Sequence, residues 1–123
     1  MTKAVSVSVL GITEFDDQEF VNKKLDKVLG KLGDAVKDVV TTSDKGAMKA
    51  AREYCEENTV KCRIIQLDWD GEGKAARPKA NEKAIMDSRV VVIFWDKKCP
   101  YVKDLIDRAL KLRRTLKIFV KED

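Results

Sequence analysis

Residues 89–95 have the sequence RVVVIFW, and this stretch decides the fold. Every residue after the arginine is apolar and most are β-branched, which is typical of a strand that is buried on both faces. A second strand is predicted over Ala4–Leu10 (AVSVSVL), where Gly11 follows as the start of a turn. Strands buried on both faces occur in parallel sheets with helices above and below, so these segments predict such a sheet.

Helical and strand periodicities alternate on either side of these segments. Between about Gln18 and Leu32 apolar residues recur every three or four positions, and Gly33 ends this stripe. The other predicted strands are Val36–Thr42, Lys61–Leu67 and Leu116–Val120, and the other predicted helices are Lys45–Glu57, Lys79–Met86 and one that starts at Pro100. Five strands alternating with four helices predict an α/β fold, a Rossmann-like three-layer sandwich with a parallel five-stranded sheet. A chain of 123 residues is expected to form one domain.

The composition excludes several kinds of chemistry. The chain has no histidine, which removes the Ser-His-Asp triad and every histidine-ligated metal site. Its 25 basic and 21 acidic residues are interspersed along the chain, which argues against a specific nucleic-acid partner. No apolar stretch approaches the roughly 18–20 residues of a membrane span, and the first residues do not resemble a signal peptide. We therefore expect no association with a membrane.

The cysteines indicate the compartment. Cys55, Cys62 and Cys99 are odd in number and form no C-x-x-C pair, so neither a disulfide framework nor a zinc site is indicated. Unpaired thiols are typical of a reducing environment, which predicts a cytoplasmic protein. We expect no metal and no cofactor.

Four loops are expected to converge at the carboxyl ends of the strands. Ligands of open parallel sheets bind there, at the point where the strand order reverses. The four loops are Gly11–Asp17, Thr42–Gly46, Asp68–Pro78 and Asp96–Pro100.

The loop Thr42–Gly46 (TSDKG) could bind an anion. Hydroxyl groups, a flexible glycine and the first N–H groups of a helix favour negative charge, and Lys45 adds a cation. The alternative is ordinary helix capping by Ser43 or Asp44.

The loop Asp68–Lys74 (DWDGEGK) resembles the start of a calcium loop, but Lys79 stands where that loop needs a bidentate glutamate. Trp69 could instead stack on a base while Asp68 binds ribose hydroxyls, or the indole could simply pack under the loop. Lys74, with Arg77 and Lys79, could face a phosphate. By contrast, the basic residues of the last helix, Arg108 and Lys111 among them, are expected on a solvated face.

The motifs in these loops resemble the YspA/YpsA-related branch of the SLOG superfamily over about Val5–Val120. The motifs are Gly11-Ile12-Thr13 with Phe15 and Asp16, Thr42-Ser43-Asp44-Lys45-Gly46-Ala47, and Asp68-Trp69 followed by Gly73-Lys74-Ala75-Ala76, Pro78 and Asn81. The resemblance implies a Rossmann-like fold with strand order 3-2-1-4-5, in which the first strand is central and Leu116–Val120 lies at an edge. It also implies binding of a nucleotide or a nucleotide-derived ligand. The LOG relatives cleave the N-glycosidic bond of nucleoside monophosphates.

The resemblance implies a set of ligand-binding positions. These are Gly11, Thr13, Phe15, Thr42, Ser43, Lys45, Gly46, Asp68, Trp69, Lys74, Asn81 and Asp96. The paired glycines of the family are replaced by Thr42 and Ser43, whose Cβ atoms hinder close approach of the backbone to phosphate. Lys45 replaces an arginine, and a lysine reproduces a bidentate phosphate contact only in part.

These departures predict nucleotide binding without efficient catalysis, and no catalytic residue is assigned. Two alternatives stay open: a degenerate domain that acts as a protein-interaction or inhibitor module, and a nucleotide phosphoribohydrolase or N-glycosidase. The resemblance and the long last helix of mixed charge also predict a homodimer packed through helices.

Overall fold

The computed structural model describes residues 4–15 and 17–121, so the predicted motif residue Asp16 lies outside the described residues. One sheet of five parallel strands has the order β3-β2-β1-β4-β5, which confirms the predicted order and the central position of the first strand. The strands are β1 (Val5–Gly11), β2 (Val36–Thr42), β3 (Cys62–Ile65), β4 (Val90–Trp95) and β5 (Thr115–Val120). The order reverses between β1 and β4, and β5 lies at an edge as expected.

Helices cover both faces of the sheet. They are α1 (Gln18–Leu32), α2 (Ala47–Glu57), the single turn α3 (Trp69–Glu72), α4 (Ala76–Met86) and α5 (Pro100–Lys111), with 3-10 turns at Gly33–Ala35 and Gly73–Ala75. α1 packs beside α2, and α4 packs beside α5. Right-handed crossovers place the first pair on one face and the second pair on the other, because the order of strands reverses between the two halves. The result is the predicted three-layer, Rossmann-like sandwich. Among the described residues, no helix combines the length and the apolar composition that a membrane crossing requires.

The central strands are buried on both faces, as the sequence RVVVIFW predicts. Four consecutive residues of β4, Val91 to Phe94, are fully buried, and so are Val7, Val9 and Leu10 of β1. Side chains of consecutive strand residues point to opposite faces, so such a run needs an apolar layer on each side. The helices supply those layers, and they leave the loops at the carboxyl ends of the strands as the accessible edge.

The segment Asp68–Pro78 is helical, which corrects its prediction as a loop. Asp68 begins α3, and its Oδ1 accepts a hydrogen bond of 2.8 Å from the N–H of Gly71. α4 begins at Ala76 instead of Lys79. Pro78 is the third residue of α4, where a backbone N–H would have no partner within the helix, so the proline does not interrupt it.

Candidate functional site

The four loops meet at the carboxyl ends of the strands, as predicted. Gly46 lies against the backbone of the first loop, where an added Cβ would be 2.5 Å from the carbonyl oxygen of Ile12. The hydroxyl of Ser43 accepts a hydrogen bond of 3.0 Å from the N–H of Leu67. The hydroxyl of Tyr101 donates a hydrogen bond of 2.7 Å to the carbonyl oxygen of Gly11. The loops are therefore bound to one another by direct contacts.

A buried carboxylate lies at the centre of this junction. Asp44 accepts hydrogen bonds from Arg77 Nε at 2.5 Å and from Arg77 Nη2 at 3.3 Å. The side chain of Asp44 is 7% exposed and that of Arg77 is 32% exposed. The carboxylate of Asp44 raises the pKa of Arg77, which keeps the guanidinium charged. The pair joins the start of α4 to the loop after β2.

Most polar groups of the predicted anion seat already have partners within the protein. Asp44 Oδ1 accepts from the N–H of Lys45 at 2.9 Å, and the hydroxyl of Thr42 accepts from the N–H of Asp44 at 3.3 Å. The N–H of Ala47 donates to the carbonyl oxygen of Ile12 at 3.1 Å. The N-cap residue of α2 is Gly46, and no side chain caps this helix. Neither Ser43 nor Asp44 is therefore its cap. The carboxylate of Asp44 lies in this loop, in the position where the sequence suggested an external anion.

Lys45 extends away from this junction. Its Nζ is 4.0 Å from Glu14 Oε1, and both side chains are well exposed. An ion pair of this exposure contributes little to stability, so Lys45 remains available to solvent.

Several other predicted residues have structural partners. Phe15 is 6% exposed and packs in the core, with its ring centroid 5.7 Å from those of Phe20 and Phe94. Gly11 lies within β1, where an added Cβ would be 2.4 Å from the carbonyl oxygen of Phe94. Close packing of the backbone thus accounts for Gly11, and core packing accounts for Phe15.

Asp96 organises the loop before α5. Its Oδ1 accepts hydrogen bonds from the N–H groups of Lys98 at 2.8 Å and Cys99 at 3.0 Å. The N–H of Lys98 is the main cause that lowers the pKa of Asp96, and the N–H of Cys99 adds to it. The carboxylate therefore stays charged and holds the loop.

A cleft of about 780 Å³ lies between α4 and α5 and opens beside α3. It is lined by Trp69, Lys74, Arg77, Pro78, Asn81, Glu82, Ile85, Tyr101, Asp104, Leu105, Asp107, Arg108 and Lys111. Three of the predicted site residues are among them, namely Trp69, Lys74 and Asn81. The other predicted residues do not line this cleft; they are Gly11, Thr13, Phe15, Thr42, Ser43, Lys45, Gly46, Asp68 and Asp96.

The mouth of the cleft carries an accessible aromatic ring. The side chain of Trp69 is 50% exposed, so this indole is not packed under the loop. The guanidinium of Arg77 lies 5.4 Å from the centroid of the indole ring, which is a cation–π arrangement. Arg77 thereby contacts both the indole and the Asp44 carboxylate.

A largely buried amide side chain lines the cleft. Asn81 is 2% exposed, and its side chain lines the cleft without a hydrogen bond to any of the described residues. The amide therefore faces the space of the cleft, where a ligand could exchange hydrogen bonds with it. Tyr101 also lines the cleft, and burial raises the pKa of its phenol to about 12. The phenol is therefore neutral at physiological pH.

The charged side chains of the cleft have both signs. Arg108 Nη1 is 3.0 Å from Glu82 Oε1, which forms an ion pair across the two helices. Lys74 and Lys111 form no ion pair with the described residues, and neither do the acidic residues Asp104 and Asp107. Lys111 is exposed, as expected for a solvated face, and it also lines the cleft.

Sequence reasoning missed how much α5 contributes to this cleft. The helical period shows which residues of α5 face the core, but not which helix lies beside α5. Arg77 was visible as part of a basic run, yet nothing in the sequence indicates its contact with Asp44, 33 positions away. Within the described residues, no group of three or more candidate ligands could hold a metal ion.

Comparison with known proteins gives no relative from which a function could be transferred. No family model, curated protein or solved structure matches this chain significantly.

Proposed function

We propose that this protein binds a nucleotide or a nucleotide-derived small molecule in the cleft between α4 and α5. The observation that carries the proposal is the half-exposed indole of Trp69 at the mouth of a cleft that also contains unpaired cations and a buried amide. Stacking of a base on an aromatic side chain contributes about 1–3 kcal/mol. The proposal agrees with the resemblance to the SLOG superfamily, whose relatives bind such ligands.

The phosphate would lie near Lys74 and Arg77, close to the start of α4. Lys74 is exposed and has no acidic partner among the described residues, so it can approach a ligand without first breaking an ion pair. Arg77 would contribute charge while it keeps its contact with Asp44. This position differs from the loop Thr42–Gly46, where the N–H groups of Ser43, Asp44 and Lys45 already donate within the protein.

Asn81 would recognise the base or the sugar. An amide both donates and accepts hydrogen bonds, as do the polar edges of bases and the hydroxyls of ribose. Because the amide is buried, a ligand that leaves it unpaired would bind more weakly. Asn81 would therefore contribute to selectivity more than to overall affinity.

A protein-interaction module is the second candidate. The observation that favours it is the direct bonding among the four loops, in which the carboxylate of Asp44 lies where the sequence suggested an external anion. A domain that has lost its small-molecule site could keep such a self-contained junction. In that case the exposed Trp69 would serve as an anchor for a partner protein.

Isothermal titration of the four ribonucleoside monophosphates and their nucleosides tests the proposal. We expect at least one monophosphate to bind and Lys74→Gln to weaken its binding by about two- to fivefold, in keeping with one exposed ion pair. Lys45→Gln is the matched control, since this lysine is also exposed but does not line the cleft, and it should leave the affinity unchanged.

Two outcomes would contradict the proposal. If no nucleotide of the panel binds, the interaction module becomes the better account. If Lys45→Gln weakens binding and Lys74→Gln does not, the ligand lies at the loop Thr42–Gly46.

A further inference from the structure

A second concave surface lies on the opposite face of the sheet, between α1 and the edge strand β5. This α1–β5 groove has a volume of about 340 Å³. It is lined by Lys27, Val28, Lys31, Leu32, Val90, Thr115, Lys117 and Phe119. Its floor is apolar, and the charged side chains that line it, as far as the chain is described, are all lysines.

The pattern of the sequence explains this groove. Lys24, Lys27 and Lys31 are spaced by three and four residues, so they lie along one side of α1. Alternate residues of a strand point to opposite faces of the sheet. The face of β5 that points toward α1 carries Thr115, Lys117 and Phe119. The positive charge of the groove is thus contributed jointly by a helix and an edge strand.

The lysines of the groove are not paired with acidic side chains of the described residues. Lys27, Lys31 and Lys117 form no ion pair with any described residue, and no acidic side chain of the described residues lines the groove. Lys24 adds a fourth cation, with its Nζ 5.5 Å from the centroid of the Phe119 ring. The α4–α5 cleft differs in this respect, because basic and acidic side chains alternate there.

We propose that the α1–β5 groove binds an amphipathic carboxylate, an organic anion with an unbranched apolar chain. The chain would lie on the floor formed by Val28, Leu32, Val90 and Phe119, and the carboxylate would contact the lysines. A symmetric contact between the grooves of two copies would bring lysines against lysines, so the charge of the groove disfavours that mode of self-association. The surface is concave, which suits insertion of a ligand into the protein and does not suit insertion of the protein into a bilayer.

Titration of the isotopically labelled protein with sodium decanoate, below the concentration at which micelles form, tests this proposal. Amide chemical shifts should change saturably at Val28, Leu32 and Phe119. Octanoate should bind more weakly, by about three- to fourfold for each methylene removed, since each contacts the floor. Acetate and decyltrimethylammonium are the matched controls, one lacking the chain and the other carrying the opposite charge.

Substitution of the lysines completes the test. Lys27→Gln, Lys31→Gln and Lys117→Gln should each weaken decanoate binding by about two- to fivefold, and more so at low salt. Lys23→Gln, on the same helix but outside the groove, should have no effect. The proposal is overturned if decanoate does not bind, if its shifts map elsewhere, or if decyltrimethylammonium binds equally well.

Discussion

Asp44 shows how one residue can change the interpretation of a loop. The sequence suggests that the groups around it attract an anion, and the structure places its own carboxylate among them, bonded to the N–H of Lys45 and to Arg77. Removal of one partner from a buried ion pair strongly destabilises the folded protein, because the other charge is left uncompensated. The charge of Asp44 is therefore part of the scaffold beside the cleft.

Substitution of Asp44 should affect stability and binding in opposite directions. Asp44→Asn should lower the free energy of unfolding by about 1–3 kcal/mol, as measured by urea denaturation, because Arg77 loses its charged partner. The same change should strengthen binding of a nucleoside monophosphate, since Arg77 becomes available to the phosphate. Asp34→Asn, at an exposed site, is the control for both measurements. Unchanged stability of Asp44→Asn would show that this ion pair does not support the loops.

Asp96 should contribute to the loss of stability in acid. Hydrogen bonds from the N–H groups of Lys98 and Cys99 lower its pKa in the folded protein, so the unfolded state binds the proton more readily. Stability from this group is present above the unfolded pKa of about 4 and is lost as the pH falls through the lower folded pKa. Asp96→Asn should therefore show a smaller loss of stability between about pH 4 and pH 2 than the parent. An identical pH profile for the two proteins would contradict this assignment.

At the scale of elements, the sequence predicts long helices more accurately than it predicts the single turn α3. The apolar stripe of α1 and its end at Gly33 were predictable because a 15-residue helix repeats its pattern several times. The turn α3 has four residues and no complete period, and it depends on one hydrogen bond accepted by Asp68. Local pattern could not distinguish that turn from a loop.

The start of α2 gives a test of packing between elements. Gly46 and Gly33 both have positive φ angles, of 75° and 55°, but only Gly46 lies against another backbone. Gly33→Ala should lower the free energy of unfolding by about 1 kcal/mol, because alanine is strained at this φ angle. Gly46→Ala should cost at least 1 kcal/mol more, since the new Cβ would clash with Ile12 and Thr13. Equal losses in urea denaturation would show that the first two loops do not pack as described.

At the scale of the whole molecule, the order of the strands was predictable and the position of the cleft was not. Alternation of strands and helices, together with the handedness of crossovers, restricts the sheet to few topologies. The α4–α5 cleft depends on the distance between two helices and on the orientation of Trp69, Asn81 and Lys111, which side-chain packing determines. Of the residues that the sequence suggests for the site, only Trp69, Lys74 and Asn81 line this cleft.

Self-association stays a prediction at this scale. A homodimer packed through helices should sediment at micromolar concentration with about twice the chain mass of 13.9 kDa. Lys111→Glu should shift that equilibrium if α5 forms the interface, because it changes the charge of this helix. A single species of chain mass over the whole concentration range would contradict the dimer.

Chemical-shift mapping with a nucleoside monophosphate tests the central claim, that the ligand site is the α4–α5 cleft, most directly. The claim predicts saturable shifts of the Trp69 indole N–H, of the Asn81 side-chain amide and of the Lys74 backbone amide, with little change at residues 42–46. Shifts confined to residues 42–46, or no saturable shift with any of the four ribonucleotides, would contradict it.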